Sequence, residues 1–465
     1  MPRVSLGPGG GTVLRALDQF VVKLHSRCNL ACDYCYVYEL RDTGWRGRPR
    51  TMPSAVRDRL VLRIAEHARR HRLRRIRVIL HGGEPLLAGE EVIAGFAESV
   101  RHALAGTETE VRLAVQSNGL LLDEAMLEVL LRHDVRVGLS LDGDQEAHNR
   151  HRRRRPRRSG DGRGAGSHQE TVRALARLGR PRYAGLFEGL LCTVDTANDP
   201  VRTYDALVSH RPPAIDFLLP DGTWDHPPPG TTGGTAPYGA WLAAAFDRWW
   251  QTGRPVHVRL FEAVISLCRY GGGSGGSELV GTLPAAAAVI ESDGTVAWTD
   301  SLKAVADGAG NTGGNVFSHS FDEILALPEV PEYGTGSLCR TCLMCPLVDI
   351  CGGGIRAHRY GRGNGFGNPS VYCRDLSLLI RHIRTRLDEG SPHPSVRRDR
   401  GGDQHGQASP LALSDEVRPN DVFPGRVEAN LAYTRPEVAA SHKDLRDVLR
   451  DIEPSPMRTD RTGRP

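Results

Sequence analysis

Cys28, Cys32 and Cys35 stand at C-x3-C-x2-C spacing directly after an apolar run, Phe20-Val21-Val22-Lys23-Leu24-His25. The run reads as a buried strand, and the cysteine stretch as the loop leaving its C-terminal end. Three thiolates on one tight loop can hold three irons of a [4Fe–4S] cube. The fourth iron stays open, whereas clusters that only carry electrons normally take four Cys. An open iron can bind a substrate or cofactor directly. Zinc is the competing occupant, but it favours four ligands built from C-x2-C pairs, and these spacings fit it poorly. Free thiols at chance spacing are the other alternative.

The chain around this loop alternates strands and helices. Strands are expected at 76–80, 111–115, 135–141, 186–194 and 215–219, and helices at 53–71, 90–105, 123–133, 168–178 and 204–209. Polar or Gly-rich clusters follow strand after strand: Gly82-Gly83-Glu84-Pro85, Gln116-Ser117-Asn118-Gly119 and Ser140-Leu141-Asp142-Gly143. This pattern predicts a parallel α/β barrel with its site at the C-terminal ends of the strands. Six repeats rather than eight imply a partial (β/α)6 barrel, open enough to admit a peptide.

The expected organisation is a flexible tail at 1–18, the barrel at 19–235, and a helical linker with a small Cys-rich domain at 236–390. A mostly disordered tail follows at 391–465, with a short helix at 440–449. Within the third segment, helices are expected at 238–250, 256–270 and 375–387, a flexible loop at 271–276, and a hairpin around Ser292-Asp293-Gly294.

Hydrophobic content of 39% and charged content of 25% suit a soluble globular protein. No apolar run approaches the ~20 residues needed to span a bilayer, and the N-terminus lacks a signal-peptide core. A cytoplasmic protein without membrane partners is expected. Ten Cys without a secretion signal favour metal or redox chemistry over disulfides. The net charge of +5 is too mild to imply nucleic acid. The cations are nearly all Arg, the lysines being Lys23, Lys303 and Lys443. Seven of the nine residues from Arg150 to Arg158 are Arg. Such a run reads first as a solvated, mobile loop and second as a docking patch for an acidic peptide. Nucleic-acid contact ranks last, because no aromatics interleave.

A second cysteine cluster reads Cys339-x2-Cys342-x2-Cys345-x5-Cys351, followed by Cys373. Four thiolates would saturate a [4Fe–4S] electron carrier and would equally suit zinc. Cys192, in an apolar strand, reads as a core thiol; Cys268 has no assigned role.

Cys28 to Cys35 resembles the CxxxCxΦC hallmark of the radical S-adenosylmethionine (SAM) superfamily, with Tyr34 as the aromatic Φ. That resemblance implies that the open iron chelates the amino and carboxylate groups of SAM and that reductive cleavage yields a 5′-deoxyadenosyl radical. Gly82, Gly83, Glu84 and Pro85 resemble the family's GGEP motif, which holds the SAM amino group. Ser117, Asn118 and Ser140 would contact the SAM carboxylate and ribose. Cys342, Cys345, Cys351 and Cys373 resemble the second auxiliary-cluster set of SPASM domains. The family's first auxiliary set is incomplete here: its positions hold Ala287 or a neighbour, Thr299 and Ile355. One auxiliary [4Fe–4S] cluster is therefore expected. Asp300 resembles in position the catalytic base of sulfatase-maturing SPASM enzymes; capping the hairpin or staying solvated are its plain structural alternatives.

Over about residues 19–390 the chain further resembles FxsB-type maturases. The resemblance rests on stretches such as Trp45-Arg46-Gly47-Arg48-Pro49, Leu218 to Pro227 and Gly363 to Cys373. It implies crosslinking of an aromatic ring to a β-carbon, a cyclophane, in a short ribosomal precursor peptide. An external flavodoxin- or ferredoxin-like one-electron reductant would be needed. The alternatives are a sulfatase-type formylglycine maturase, a thioether-forming peptide maturase, and a non-catalytic zinc-binding interaction protein.

Overall fold

A computed structural model describes residues 16–155, 164–271, 277–282, 286–327 and 337–389. Most of the N-terminal tail, the loop at 272–276, Pro156 to Arg158 and the whole C-terminal tail with its expected helix lie outside the described residues.

Six strands form in the expected places: β1 (Gln19–His25), β2 (Arg75–Gly82), β3 (Glu110–Ser117), β4 (Val135–Ser140), β5 (Phe187–Thr193) and β6 (Ala214–Leu218). They lie side by side in chain order, all parallel, with β7 (His257–Val258) beyond β6. The register stacks apolar residues across the sheet, as in Phe20 beside Val78 and Val78 beside Leu113. Phe20, Val22, Leu24, Val78, Leu113, Val137, Leu139 and Leu190 are all buried. Parallel strands covered on both faces explain why these segments read as near-continuous apolar runs.

The crossovers are α1 (Ser54–Arg70), α2 (Glu90–Ala103), α3 (Glu124–Arg132), α4 (Gln145–His151) with α5 (His168–Leu178), and α6 (Pro200–Ser209). Their starts carry local signals. The Asp123 carboxylate accepts from Met126 N at the head of α3, and Asp199 accepts from Arg202 N where Pro200 opens α6. Towards the N-terminal ends of the strands, buried ion pairs join Arg77 to Glu188 and Arg259 to Asp216. The other end is left for the site.

The expected hairpin forms as β8 (Ala287–Ile290) and β9 (Thr295–Ala297), turning at Gly294 with φ +84°. It does not stand apart from the barrel. β8 pairs parallel with β1 on the edge opposite β2, and β10 (Asn311–Asn315) extends the same sheet antiparallel to β9. The pairing swings Asp300 and Lys303, just past β9, over the C-terminal end of β1. Helices α7 (Pro237–Gln251) and α8 (Arg259–Tyr270) cover β6 and β7. After α9 (Phe321–Leu325) come the short α10 (Arg340–Leu343) and α11 (Val348–Cys351). Then α12 (Cys373–Glu389) packs on α7 and α8. An aromatic cluster of Phe217, Phe246, Trp249 and Phe261 joins these layers. Each such side chain contributes about 1.5–3 kcal/mol by leaving water.

Candidate functional site

The cysteine loop is seated by the glycines of β2. Gly83 N donates to His25 O at 2.9 Å and Glu84 N to Arg27 O at 3.0 Å. A Cβ on Gly82 would lie 2.1 Å from His25 O, and one on Gly83 would lie 1.9 Å from the Tyr38 hydroxyl and 2.6 Å from Arg27 O. Both glycines are thus required by close backbone approach. Pro85 opens a 3₁₀ turn, Pro85–Ala88.

Glu84 is buried and clamps two strand ends together. Its Oε1 accepts from Leu86 N (3.0 Å) and Ser117 Oγ (2.9 Å), and Oε2 accepts from Asn118 N (2.9 Å). Burial pushes its pKa up to about 7 despite these donors. Asn118 Nδ2 donates to Asn29 Oδ1 at 2.8 Å, and its Oδ1 accepts from Leu120 N. Ser117 and Asn118 therefore hold the cysteine loop to β3. Ser140 Oγ accepts from Gln116 Nε2 at 3.1 Å and sits half-buried.

Cys28, Cys32 and Cys35 are partly exposed on this loop. Burial raises all three thiols, Cys28 and Cys32 to about 12. Without a cation the thiolates are unfavourable there, and a metal cluster would replace their protons. The spacing and the partial exposure fit three thiolates that would hold a cube with one iron left open.

Sequence reasoning missed the frame that holds Tyr34. The Tyr34 hydroxyl donates to Asp142 Oδ2, which also accepts from Arg152 Nε at 2.8 Å, while Oδ1 accepts from Thr193 N at 3.0 Å. The Arg152 guanidinium lies 5.6 Å from the Tyr34 ring centroid and beside Cys32. The only hint was Asp142 at a strand end.

The described part of the Arg run departs from the expected mobile loop. Arg150 and His151 end α4, and Leu30 bridges Arg154 antiparallel. Ala31 N donates to Arg153 O at 2.8 Å, and Arg155 Nε to Cys28 O at 3.0 Å. The described part of the run is a strap across the cysteine loop. Charge composition could not show this, because its contacts to that loop run mainly through backbone, while Arg150, Arg152 and Arg154 pair with Asp195, Asp142 and Glu170.

Asp300 lies among cations. Its carboxylate accepts from Lys23 Nζ, from Lys303 Nζ at 2.8 Å and from the Tyr36 hydroxyl at 3.4 Å. Lys303 also donates to Glu291 at 2.6 Å, and Lys23 Nζ lies 3.1 Å from His81 Nδ1. Burial alone would raise the Asp300 pKa, but Lys23 and Lys303 outweigh it and hold the carboxyl well below its usual range. Burial and Lys23 depress His81 to about 3, so its ring is neutral.

The second cluster gathers at α10, α11 and the start of α12. Cys339 caps α10, Cys342 lies within it, Cys345 follows, Cys351 ends α11 and Cys373 begins α12. Gly352, at φ +64°, turns the chain after Cys351, and a Cβ there would lie 1.9 Å from Gly281 O. Burial pushes Cys351 up to about 11 and Cys373 up to about 12. Four or five thiols with a cation, Arg359, beside them fit an anionic iron–sulfur cluster.

A first auxiliary cluster does not fit. Ala287 pairs with Gln19 in the sheet. Thr299 Oγ1 donates to Glu278 Oε1 at 2.7 Å. Ile355 packs against Leu302, Val305 and Ala357.

A family model described as the radical SAM superfamily matches residues 22–202. The cysteine-type anaerobic sulfatase-maturating enzyme of Clostridium perfringens strain 13 is 26% identical over 386 residues, covering 80% of this chain and 97% of the relative. The serine-type enzyme of Klebsiella aerogenes is 25% identical over 342 residues, covering 72% and 79%. Among solved structures, native anSMEcpe with bound AdoMet and Kp18Cys peptide superposes with a TM-score of 0.65 at 22% identity, over 80% of this chain and 98% of that one. The expected cyclophane chemistry is overturned and the FxsB assignment gains no support, since the relatives matched over most of the chain are sulfatase-maturating enzymes. Radical SAM enzymes bind a [4Fe–4S] cluster and SAM, and the parallel barrel, the cysteine loop and the superfamily match over residues 22–202 identify this chain as an enzyme that carries a radical SAM domain.

Proposed function

We propose that the chain is a maturase of the sulfatase-maturating kind, oxidising a Cys or Ser side chain in a bound peptide segment to formylglycine. The observation that carries this reading is the co-linear likeness to the cysteine-type enzyme of C. perfringens over 97% of that protein's length. Asp300 at the barrel mouth supports it.

In this reading Cys28, Cys32 and Cys35 hold the catalytic cluster, and Cys342, Cys345, Cys351 and Cys373 hold an auxiliary one. The clusters and SAM supply a radical that takes the β-hydrogen and a sink for the electron that follows. The remaining work belongs to side chains. Gly82 and Gly83 bring the backbone close enough to meet the SAM amino group. Glu84 keeps a lone pair on Oε2 for it. Ser140, whose own proton has no recorded acceptor among the described residues, faces the carboxylate or ribose. Asp300 takes the proton released as the β-carbon is oxidised, once substrate loosens its contact with Lys23. A serine substrate then stands as the aldehyde; a cysteine substrate stands as the thioaldehyde, which water converts to aldehyde and hydrogen sulfide. The peptide is the partner, and a flavodoxin- or ferredoxin-like protein is the donor of the starting electron. Among the described residues no helix is long and apolar enough to cross a membrane.

The test is to incubate the anaerobically reconstituted protein with SAM, dithionite and a sulfatase-derived peptide carrying Cys or Ser at the modified position. Aldehyde trapped on the peptide by a hydrazide probe is the expected product. Peptide-dependent 5′-deoxyadenosine without aldehyde would refute the formylglycine reading while leaving the radical chemistry intact.

A further inference from the structure

The auxiliary centre contains one more thiol than a cube can use. Cys339, Cys342, Cys345, Cys351 and Cys373 gather at α10, α11 and the start of α12, and a Cβ on Gly353, two residues after Cys351, would lie 2.4 Å from Leu338, the neighbour of Cys339, whereas a [4Fe–4S] cluster takes four thiolates. Cys339 and Cys342 are three residues apart on one helical turn, which places their side chains on one face. Leu343 N donates to Cys339 O at 3.0 Å, which fixes that turn. An iron within reach of one sulfur is therefore within a side-chain rotation of the other.

A second observation points to an anionic occupant beside this pair. Arg359 is 5% exposed, and its Nε has no hydrogen-bond partner among the described residues. Its Nη1 donates to Ser337 O at 3.0 Å, two residues before Cys339. A Cβ on Gly353, two residues after Cys351, would lie 3.9 Å from the Arg359 Cδ. A buried N–H left unpaired is costly, and a cluster sulfide or thiolate would supply the acceptor.

We propose that Cys339 and Cys342 are interchangeable ligands for one iron of the auxiliary cluster, with Arg359 as the buried counter-charge at that corner. The cube keeps four thiolates whichever sulfur is bound, and the displaced one stays beside it on the same helical turn as a thiol. No redox change accompanies the exchange: one iron–sulfur bond breaks, one forms, and a proton moves from the incoming to the outgoing sulfur. The inference rests on the auxiliary cluster proposed above and is independent of which peptide residue is oxidised.

The experiment measures iron, sulfide and the electron paramagnetic resonance spectrum of the anaerobically reconstituted full chain. The comparison set is wild type, Cys339→Ala, Cys342→Ala, the double variant and Cys351→Ala. Each of the first two single variants should keep the wild-type iron content, with a shifted auxiliary signal in Cys342→Ala. The double variant and Cys351→Ala should each lose about four irons, one cube. Alkylation provides a check that does not depend on cluster yield: Cys339 should react with iodoacetamide in the wild-type holoprotein and be protected in reconstituted Cys342→Ala. If Cys342→Ala loses the irons that the double variant loses, or leaves Cys339 reactive, Cys339 is no ligand and the exchange is refuted. Loss of the cluster in Cys339→Ala alone would make Cys339 obligatory and refute interchange equally. Absence of auxiliary iron in wild type would overturn the auxiliary centre and this inference with it.

Discussion

Asp300 shows how a residue found by position acquires its character from neighbours. The chain holds three lysines among 60 basic residues, and two of them, Lys23 and Lys303, contact Asp300. A sequence that otherwise uses Arg keeps the smaller cation at these two places. The ammonium is a compact point charge that fits a buried carboxylate and can release a proton, which Arg cannot do. That rarity was a usable signal in the sequence, but its meaning appears only when β8 pairs with β1 and brings residues 277 positions apart together. The ion pairs make Asp300 a weak proton acceptor in the free protein, so its basicity depends on substrate displacing Lys23. Asp300→Asn should therefore still cleave SAM while aldehyde formation falls by about 10²–10⁴-fold, the usual range for a lost general base. Following 5′-deoxyadenosine and aldehyde in the same reaction decides this. Wild-type aldehyde yield in Asp300→Asn would make the residue structural. At the cluster itself, Cys28→Ala, Cys32→Ala and Cys35→Ala should each abolish 5′-deoxyadenosine formation under dithionite, because two thiolates cannot hold the cube. Undiminished cleavage in any one of them would remove that cysteine from the ligand set.

The strand end Gly82–Pro85 acts as a unit. Two glycines let the loop carrying Cys28 lie against it, and Glu84 fastens it to Ser117 and Asn118. Gly83→Ala should push the loop away, since the new methyl meets backbone at Arg27 as well as the movable Tyr38 ring. Overpacking of this kind costs about 1–3 kcal/mol. The expected readout is loss of the catalytic cluster's iron with the auxiliary iron kept; full iron content would show that the approach is not needed. Glu84 gives the element a pH signature. Its pKa rises from 4.5 to about 7 in the folded chain, so between those values the folded state holds a proton that the unfolded chain has released. Stability contributed at this site is therefore lost as pH rises through that window, by up to about 3 kcal/mol. Urea melts of the apoprotein at pH 5 and pH 7.5 should show wild type losing more stability on alkalinisation than Glu84→Gln; parallel losses would place the Glu84 titration elsewhere. The barrel strands and the cysteine loop were legible because their information is local: apolar runs, glycines and thiols at fixed spacing. The Arg strap and the Asp142 frame were not, because the carbonyl or carboxylate that each guanidinium meets is set by folding and not by local sequence, and an Arg that is paired looks the same in sequence as one in water.

At the scale of the molecule, the ten cysteines divide into groups that set the metal content. Three lie on the loop after β1 and five at the auxiliary centre. The other two stand apart, Cys192 buried on β5 and Cys268 on α8 beside Arg384 and Asp388 of α12. A second auxiliary cube would need four further thiolates, and those two lie on different elements. The positions that would hold its ligands are occupied by sheet pairing at Ala287, a hydrogen bond at Thr299 and apolar packing at Ile355. The reconstituted protein should therefore bind about eight irons per chain, four in each of two cubes. Iron and acid-labile sulfide, measured with zinc on the same sample, check this. About twelve irons would mean that non-cysteine ligands build a third cube. About four irons together with one zinc would assign Cys342, Cys345, Cys351 and Cys373 to a structural zinc site. In that case the auxiliary electron sink would be lost from the proposed oxidation, and the electron leaving the substrate would have to return to the catalytic cluster or to an external carrier.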